Sequence, residues 1–386
     1  MDYPKTREDA EKRIYKFWDT QPVPKLNEII TIDSKIEETI NQNDVPLSLL
    51  ENFEWCVLNL NDDNDLTTMT MFLDKFYVED NKNEFRLHYT NDLLSWMYKD
   101  STNIALCVKT NNVLVATICG KVIKTQVNKN KIDMIEVNLL CVHPKLRNKR
   151  LAPVLIQELN RRFSLLGYST GIYTASTYLP TPILTAKYYH KILNAEVLYD
   201  TGFVRADKNT SLKNIKKAHK LPSTTQPFFK KMQLSHIDQM YNLFNTYMEK
   251  YNLHPLYTKE EFATLFTNKL VTCYVLENDN SEVIDFVSYY TMESRVLKNN
   301  EKHKFIKKAY LYYYTSLNET SYNLIKNLLI VARNHNMDVF TAMDIMENHS
   351  TLQDLGFDQG TGSSHYYLYN WKIKPLKNIQ CSMILR

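Results

Sequence analysis

Apolar and polar residues alternate from Ile104 to Val122 on either side of Asn111-Asn112. That pair tolerates left-handed backbone, so the segment predicts a β-hairpin. Ile132 to Val142 reads as a further strand; its apolar run from Val137, interrupted only by Asn138, implies burial on both faces. The spacing then becomes helical. Leu151 to Leu166 places Leu155, Leu159 and Phe163 on one face, with Pro153 in the first turn and Gly167 as C-cap. The same order returns: Cys273 to Thr291 alternates around Asp279-Asn280, Ala309 to Thr315 is a strand, and Ser321 to Asn334 is a helix. The repeat is offset by roughly 170 residues, the mark of duplicated halves. Two unrelated α/β segments remain the alternative.

Thr6 to Phe17 predicts a helix, with Thr6 and Asp9 as a capping-box-like start and Pro22 and Pro24 beyond its end. Ser235 is expected to cap a helix carrying Ile237, Met240, Phe244, Tyr247 and Tyr251. Between the halves, Lys208 to Gln226 holds five lysines, no acid and Pro222. It reads as an exposed basic linker between 1–207 and 227–386.

Composition narrows the function classes. The chain has 386 residues, with 47 basic and 43 acidic side chains and a net charge of +4, too even for a dedicated nucleic-acid binder. Only 7 glycines are present, and neither a P-loop nor a GxGxxG fingerprint occurs. The 6 cysteines form no CxxC pair and the 10 histidines no HExxH, so no metal is expected. No apolar run is long enough to span a membrane. A reduced, cytoplasmic chain is the simplest account.

Three segments are candidates for chemistry. The loop His143 to Arg150 gathers Lys145, Arg147, Lys149 and Arg150 just before a helix N-terminus, where free N–H groups favour an anion such as pyrophosphate. A solvated basic turn is the plain alternative. Tyr173 to Pro182 sets small hydroxyl residues beside a rigid Pro-x-Pro, either a ligand channel or a strand entering a loop. Gly360-Thr361-Gly362 reads as a tight turn before the aromatic strand Tyr366 to Trp371. The end, Cys381 to Arg386, is apolar up to its last residue, so a buried terminus is expected. That carries a carboxylate inward, which is costly without a partner or a role.

Glu136-Val137-Asn138-Leu139-Leu140-Cys141-Val142-His143, continued by Lys145 to Ile156, resembles the first signature of the eukaryotic glycylpeptide N-myristoyltransferases. Tyr15 to Pro24 resembles that family's N-terminal box, Phe76 to Asp80 its peptide-binding loop, and Tyr173-Thr174-Ala175 with Leu179-Pro180 its central motif. Asp338-Val339-Phe340, Met346-Glu347-Asn348 and Tyr366 to Trp371 resemble its C-terminal half. The resemblance implies an α/β fold of two tandem GNAT-like halves, related by pseudo-two-fold symmetry around a mixed, saddle-shaped β-sheet with surrounding helices. It also implies a monomeric acyltransferase that moves the tetradecanoyl group of myristoyl-CoA to the N-terminal glycine of peptides and nascent proteins. No metal is required.

The resemblance further implies site roles. Tyr15, Lys16, Phe17 and Trp18 would line the coenzyme A site, and the main chain of Arg147, Asn148, Lys149, Arg150, Leu151, Ala152 and Pro153 would cradle its phosphates. The N–H groups of Leu139 and Leu140 would form the oxyanion hole. Asn138 and Thr174 would hold the attacking amine, and the terminal carboxylate of Arg386 would take its proton. Cys141 is not expected to act covalently. Peptide contacts would be Tyr77, Val78, Asp80, Phe85, Tyr188, His190, Ser294, Gly360 and Gly362.

Three departures from the family pattern carry consequences. Asn81-Lys82 replaces an acidic run, Thr361 replaces the acid of a Gly-Asp-Gly turn, and Ser176 replaces a glycine. The first two remove negative charge where family members hold a substrate lysine, so a weaker preference for that lysine is expected. The family's lysine-rich ribosome-targeting arm has no counterpart ahead of the first box, so any ribosome association would have to lie elsewhere. Two rivals are an acyltransferase for short acyl-CoA and a non-catalytic acyl-CoA binder.

Overall fold

A computed structural model describes residues 4–38, 43–80, 82–99, 101–205, 211–298 and 300–385. The N-terminal half holds α1 (Arg7–Glu11), β1 (Ser34–Lys35), β2 (Glu54–Leu58), α2 (Asp63–Phe76), β3 (Phe85–His88) and α3 (Asn91–Tyr98). Then come β4 (Asn103–Thr110), β5 (Val113–Val127), β6 (Asn130–Val142), α4 (Leu151–Leu165), β7 (Gly171–Ala175), β8 (Leu184–Ile192) and α5 (Ala195–Asp200). After α6 (Leu212–Ala218), the C-terminal half holds β9 (Phe229–Lys231), α7 (Ile237–Met248), β10 (Leu253–Pro255), α8 (Lys259–Thr267), β11 (Val271–Glu277) and β12 (Val283–Val296). It closes with β13 (Phe305–Tyr314), α9 (Ser321–Asn334), β14 (Val339–Met343), α10 (Asn348–Asp354), β15 (Asp358–Tyr369) and β16 (Trp371–Lys372).

One 14-stranded sheet runs β2-β4-β5-β6-β7-β15-β8-β14-β13-β12-β11-β9. Two short strands branch from it, β10 pairing with β5 and β3 with β12. This order is symmetric about the β15–β8 pair. Each half has an antiparallel hairpin (β4–β5, β11–β12) and a parallel pair bridged by a helix (β6–α4–β7, β13–α9–β14). Each half then gives its last long strand to the other: β15 pairs with β7, and β8 with β14. Even the branches are exchanged, since β3 reaches the second half and β10 the first. Such reciprocity is the topology of a duplication with swapped strands, and it places the pseudo-two-fold axis at mid-sheet.

Local chemistry explains the elements. Asn111 and Asn112 take φ of 50° and 60°, as a two-residue hairpin turn requires. Leu155, Leu159 and Phe163 are buried on one face of α4, and Gly167 follows at φ 89° as its left-handed cap. Gly120 admits Phe163 so closely that an added Cβ would stand 2.5 Å from its ring. The six cysteines are free thiols.

Four expectations need correction. The first helix stops at Glu11, and the chain beyond it leaves the helical path so that Trp18 stacks on Tyr173 of β7; Thr6 does accept from the Asp9 N–H at 3.2 Å. The helix expected after Ser235 is entered through a 3-10 turn, Leu234–His236, with Gln233 rather than Ser235 as its cap. The expected linker is not merely exposed: α6 forms within it, capped by Ser211, and buries Ile215. Gly360-Thr361-Gly362 is not a turn. It is a bulge inside β15, where the four steps from Gln359 to Ser363 lie against only two, Tyr189 to Lys187, on β8.

Candidate active site

Strands β6 and β7 run parallel as far as Val137 and Tyr173. Past that pair, β6 continues against β5 alone and β7 against β15 alone, so the sheet opens at its centre. At the opening β6 carries a bulge: Thr117 faces Cys141 and Cys119 faces Asn138, leaving Leu139 and Leu140 against one residue of β5. Leu139 has φ of 54°, an uncommon conformation for a branched side chain. The Thr117 hydroxyl, fully buried, donates to the Leu139 carbonyl at 2.8 Å. In a trans peptide the C=O and the following N–H point in opposite directions. Thr117 therefore turns the Leu140 N–H away from itself.

Beyond the strand, the 3-10 turn Pro144–Leu146 leads to Asn148 and Arg150, both with positive φ of 64° and 62°. These conformations swing the chain so that α4 starts with no side chain on its first N–H groups. Arg147 is bound back by its guanidinium to the carbonyls of Val142 at 3.1 Å and Phe76 at 2.8 Å. Lys145, Lys149 and Arg150 stay exposed around the helix start. The result is a 15-residue helix with an uncapped N-terminus inside a basic loop.

The N-terminal segment lies across the same end of the sheet. Trp18 stacks on Tyr173 at 5.7 Å, Tyr173 on Tyr367 at 5.0 Å, and the Tyr15 hydroxyl donates to the Tyr178 carbonyl at 3.3 Å. Phe17 meets Trp18 edge-on, and Lys16 is exposed.

The chain end comes in from the other side. Cys381 to Ile384 are buried, with the Ser382 N–H on the Leu253 carbonyl at 2.9 Å. The Tyr366 hydroxyl donates to the Met383 carbonyl at 3.0 Å, and Tyr366 stands directly opposite Thr174 in the ladder. Met383 of the tail is thus held by a side chain of β15, the strand next to β7. Arg386 itself lies outside the described residues. Nearby, Asn138 donates to Glu136 at 3.3 Å, and Glu136 forms a buried ion pair with Lys121 at 3.1 Å. Burial pushes the Cys141 thiol up to about 12, leaving little thiolate at neutral pH.

The expected peptide contacts gather at the second half's face. The Asp80 carboxylate accepts the N–H groups of Lys82, Glu84 and Phe85, closing the loop after Tyr77 and the exposed Val78. Tyr188 and His190 project from β8 and the buried Ser294 from β12. His190 contacts the Thr341 hydroxyl at 3.0 Å, and burial, with Lys308 nearby, holds it down to about 4. The bulge presses Gly360 onto this ring, where an added Cβ would stand 2.7 Å from His190 Nε2; Gly362 has room. A polar cleft of about 840 Å³ at Thr31, Asp33, Asn128, Asn252 and Lys374 contains none of the expected site residues. Thr117, the Lys121–Glu136 pair and Lys308 carry no signal in the sequence, since nothing in their neighbourhood along the chain reports a contact across strands.

Residues 31–186 and 200–383 match the N- and C-terminal domain models of myristoyl-CoA:protein N-myristoyltransferase. The chain belongs to this family. Among its relatives is a Plasmodium falciparum glycylpeptide N-tetradecanoyltransferase, 38% identical over 380 residues, covering 94% of this chain and 92% of the other. A probable Caenorhabditis elegans glycylpeptide N-tetradecanoyltransferase is 35% identical over 397 residues, covering 99% and 88%. The crystal structure of Saccharomyces cerevisiae N-myristoyltransferase with bound myristoyl-CoA superposes with a TM-score of 0.87 at 32% identity, covering 94% and 93%. The protein is an acyltransferase with the expected tandem, GNAT-like α/β fold. Among the described residues no cluster of His, Cys, Asp or Glu is arranged to hold a metal, and no helix is long and apolar enough to cross a membrane.

Proposed function

We propose that this enzyme transfers the myristoyl group of myristoyl-CoA to the N-terminal glycine amine of cytoplasmic proteins, including nascent ones. The observation that carries this reading is the bulge at Leu139-Leu140, set where β6 and β7 part; Met383 of the buried tail is held by Tyr366, the strand partner of Thr174. The first half, 1–207, would bind acyl-CoA, and the second, 227–386, would complete the peptide groove and supply the tail. The uncapped start of α4, with Arg147 to Pro153, is suited to the phosphates, and Tyr15 to Trp18 to the rest of coenzyme A.

The N–H groups of Leu139 and Leu140 stabilise the oxyanion that forms as the glycine nitrogen attacks the thioester carbon. Asn138 and Thr174 hold the amine. The terminal carboxylate of Arg386 accepts its proton, because an α-amino group with a pKa of ~7.7–8.0 needs only a modest base. The carboxylate passes that first proton to solvent; the neutral amine then forms the C–N bond, the C–S bond breaks, and the second N–H proton ends on the departing thiolate as coenzyme A thiol. No enzyme nucleophile is needed, in keeping with the buried, protonated Cys141 thiol.

Turnover of a glycine-starting octapeptide with acyl-CoAs of graded chain length tests the reading. Fastest turnover with the tetradecanoyl donor is expected. Fastest turnover with acetyl-CoA, or tight acyl-CoA binding without turnover, would contradict it.

A further inference from the structure

Lys308 lies on β13, opposite Met292 of β12 and two residues from Tyr310. Tyr310 is opposite Thr341, and Thr341 is opposite His190. Side chains opposite one another, or two apart along a strand, share a face of the sheet. Lys308 therefore occupies the face that also carries Tyr188, His190 and Ser294. It is buried to nine-tenths, with 9% of its surface exposed. Among the described residues its ammonium makes no hydrogen bond and no ion pair. It lies 5.2 Å from the centroid of the Phe203 ring, which in turn is 5.6 Å from Phe85 and 5.9 Å from His190.

A lysine side chain buried this far, with no described partner for its ammonium, is costly to keep charged. The nearby acid does not relieve it. Asp80 is close enough to favour the charged form, but its oxygens already accept the N–H groups of Lys82, Glu84 and Phe85. Burial outweighs Asp80 and brings Lys308 down to about 8, so it remains mostly a cation at pH 7. His190, the neighbouring base, is neutral there. Lys191 bonds the Gly356 carbonyl at 3.1 Å, and the glycine bulge beside His190 carries Thr361. Where the family resemblance places a substrate lysine, this chain presents a positive charge that no described side chain pairs.

We infer that Lys308 is a specificity-determining residue of the peptide groove, pairing with an acidic side chain of the glycine-starting substrate by a charge-assisted hydrogen bond. This rests on the face of Tyr188, His190 and Ser294 being the peptide site. It goes beyond a weakened preference for lysine, since the sign of the selected charge is reversed. The partly desolvated setting strengthens such a bond relative to one in water.

The test is a set of glycine-starting octapeptides carrying Glu, Gln or Lys in turn at each position from the third to the eighth, assayed with myristoyl-CoA. For the native enzyme, one position is expected to favour Glu over Lys by about tenfold or more in kcat/KM, carried by KM. In K308M that ratio should fall to within about twofold of unity or invert, and in K308R the Glu preference should persist. The ratio is measured on one enzyme preparation, so it does not depend on how much of a variant folds. A native enzyme with no position favouring Glu, or a K308M enzyme that keeps the preference, would overturn the inference while leaving the assigned reaction standing. Absence of turnover with every peptide, the Gln series included, would instead overturn the assigned reaction and this inference with it.

Discussion

The Thr117 hydroxyl holds the Leu139 carbonyl at 2.8 Å and so turns the Leu140 N–H to the opposite side of the peptide plane, away from Thr117. This bond lies behind the proposed oxyanion hole and touches no substrate. T117V keeps the shape but removes the donor. It is expected to lower kcat about tenfold, less than the roughly 10²–10³ seen when an oxyanion donor itself is lost, with acyl-CoA affinity little changed. T117S should retain most of the rate. Steady-state kinetics beside an acyl-CoA binding titration check both.

Gly360 and Gly362 make a matched pair of probes. A Cβ at Gly360 would meet His190 Nε2 at 2.7 Å and the Tyr188 carbonyl at 3.2 Å, so G360A must displace the ring or the strand. At Gly362 the nearest contact would be an ordinary 3.5 Å. G360A should raise the KM for peptide about tenfold, and G362A by less than about twofold. Peptide titrations at saturating myristoyl-CoA would show equal effects if His190 does not face the peptide.

Burial holds His190 down to about 4 and Lys308 to about 8, from ordinary values of 6.5 and 10.5. Both are bases with a depressed folded pKa, so the unfolded chain binds more protons between the two values. Stability therefore rises with pH from about 4 to 6.5 through His190, and again from about 8 to 10.5 through Lys308. K308M removes the second dependence. It should be more stable than the native chain at pH 7 by about 1–3 kcal/mol, with the gap narrowing as pH approaches about 10. Urea unfolding at several pH values measures this, and a K308M chain less stable at pH 7 would contradict it.

Much of this architecture is legible in the residues. The Asn111-Asn112 turn, the α4 face of Leu155, Leu159 and Phe163, and the repeat of hairpin, strand and helix are local patterns, and local patterns survive folding. The exchange of β8 and β15 is not legible, because pairing of strands far apart in the chain leaves no periodic trace. The glycine bulge looks like a turn in the sequence for the same reason: only the β8 ladder shows that the strand runs through it. Leu139 could be placed in the signature, but its positive φ and its hold on Thr117 depend on a register seen only across strands.

Tyr366 joins the tail to the β7 side of the proposed site. Its hydroxyl fixes the Met383 carbonyl, and its strand partner is Thr174. Y366F removes one buried hydrogen bond, worth about 1 kcal/mol of stability. The larger expected effect is on the tail: a looser chain end should lower kcat about tenfold, with little change in acyl-CoA binding. Equal losses in both would mean that Tyr366 serves the fold alone.

The most direct test of the proposed chemistry is to extend the chain past Arg386 by a single glycine and compare it with the native enzyme. The extension moves the carboxylate and alters no described residue. The account predicts that kcat for a glycine-starting octapeptide falls by about 10²–10⁴, while myristoyl-CoA binds as before. An extended enzyme that turns over at the native rate would contradict it.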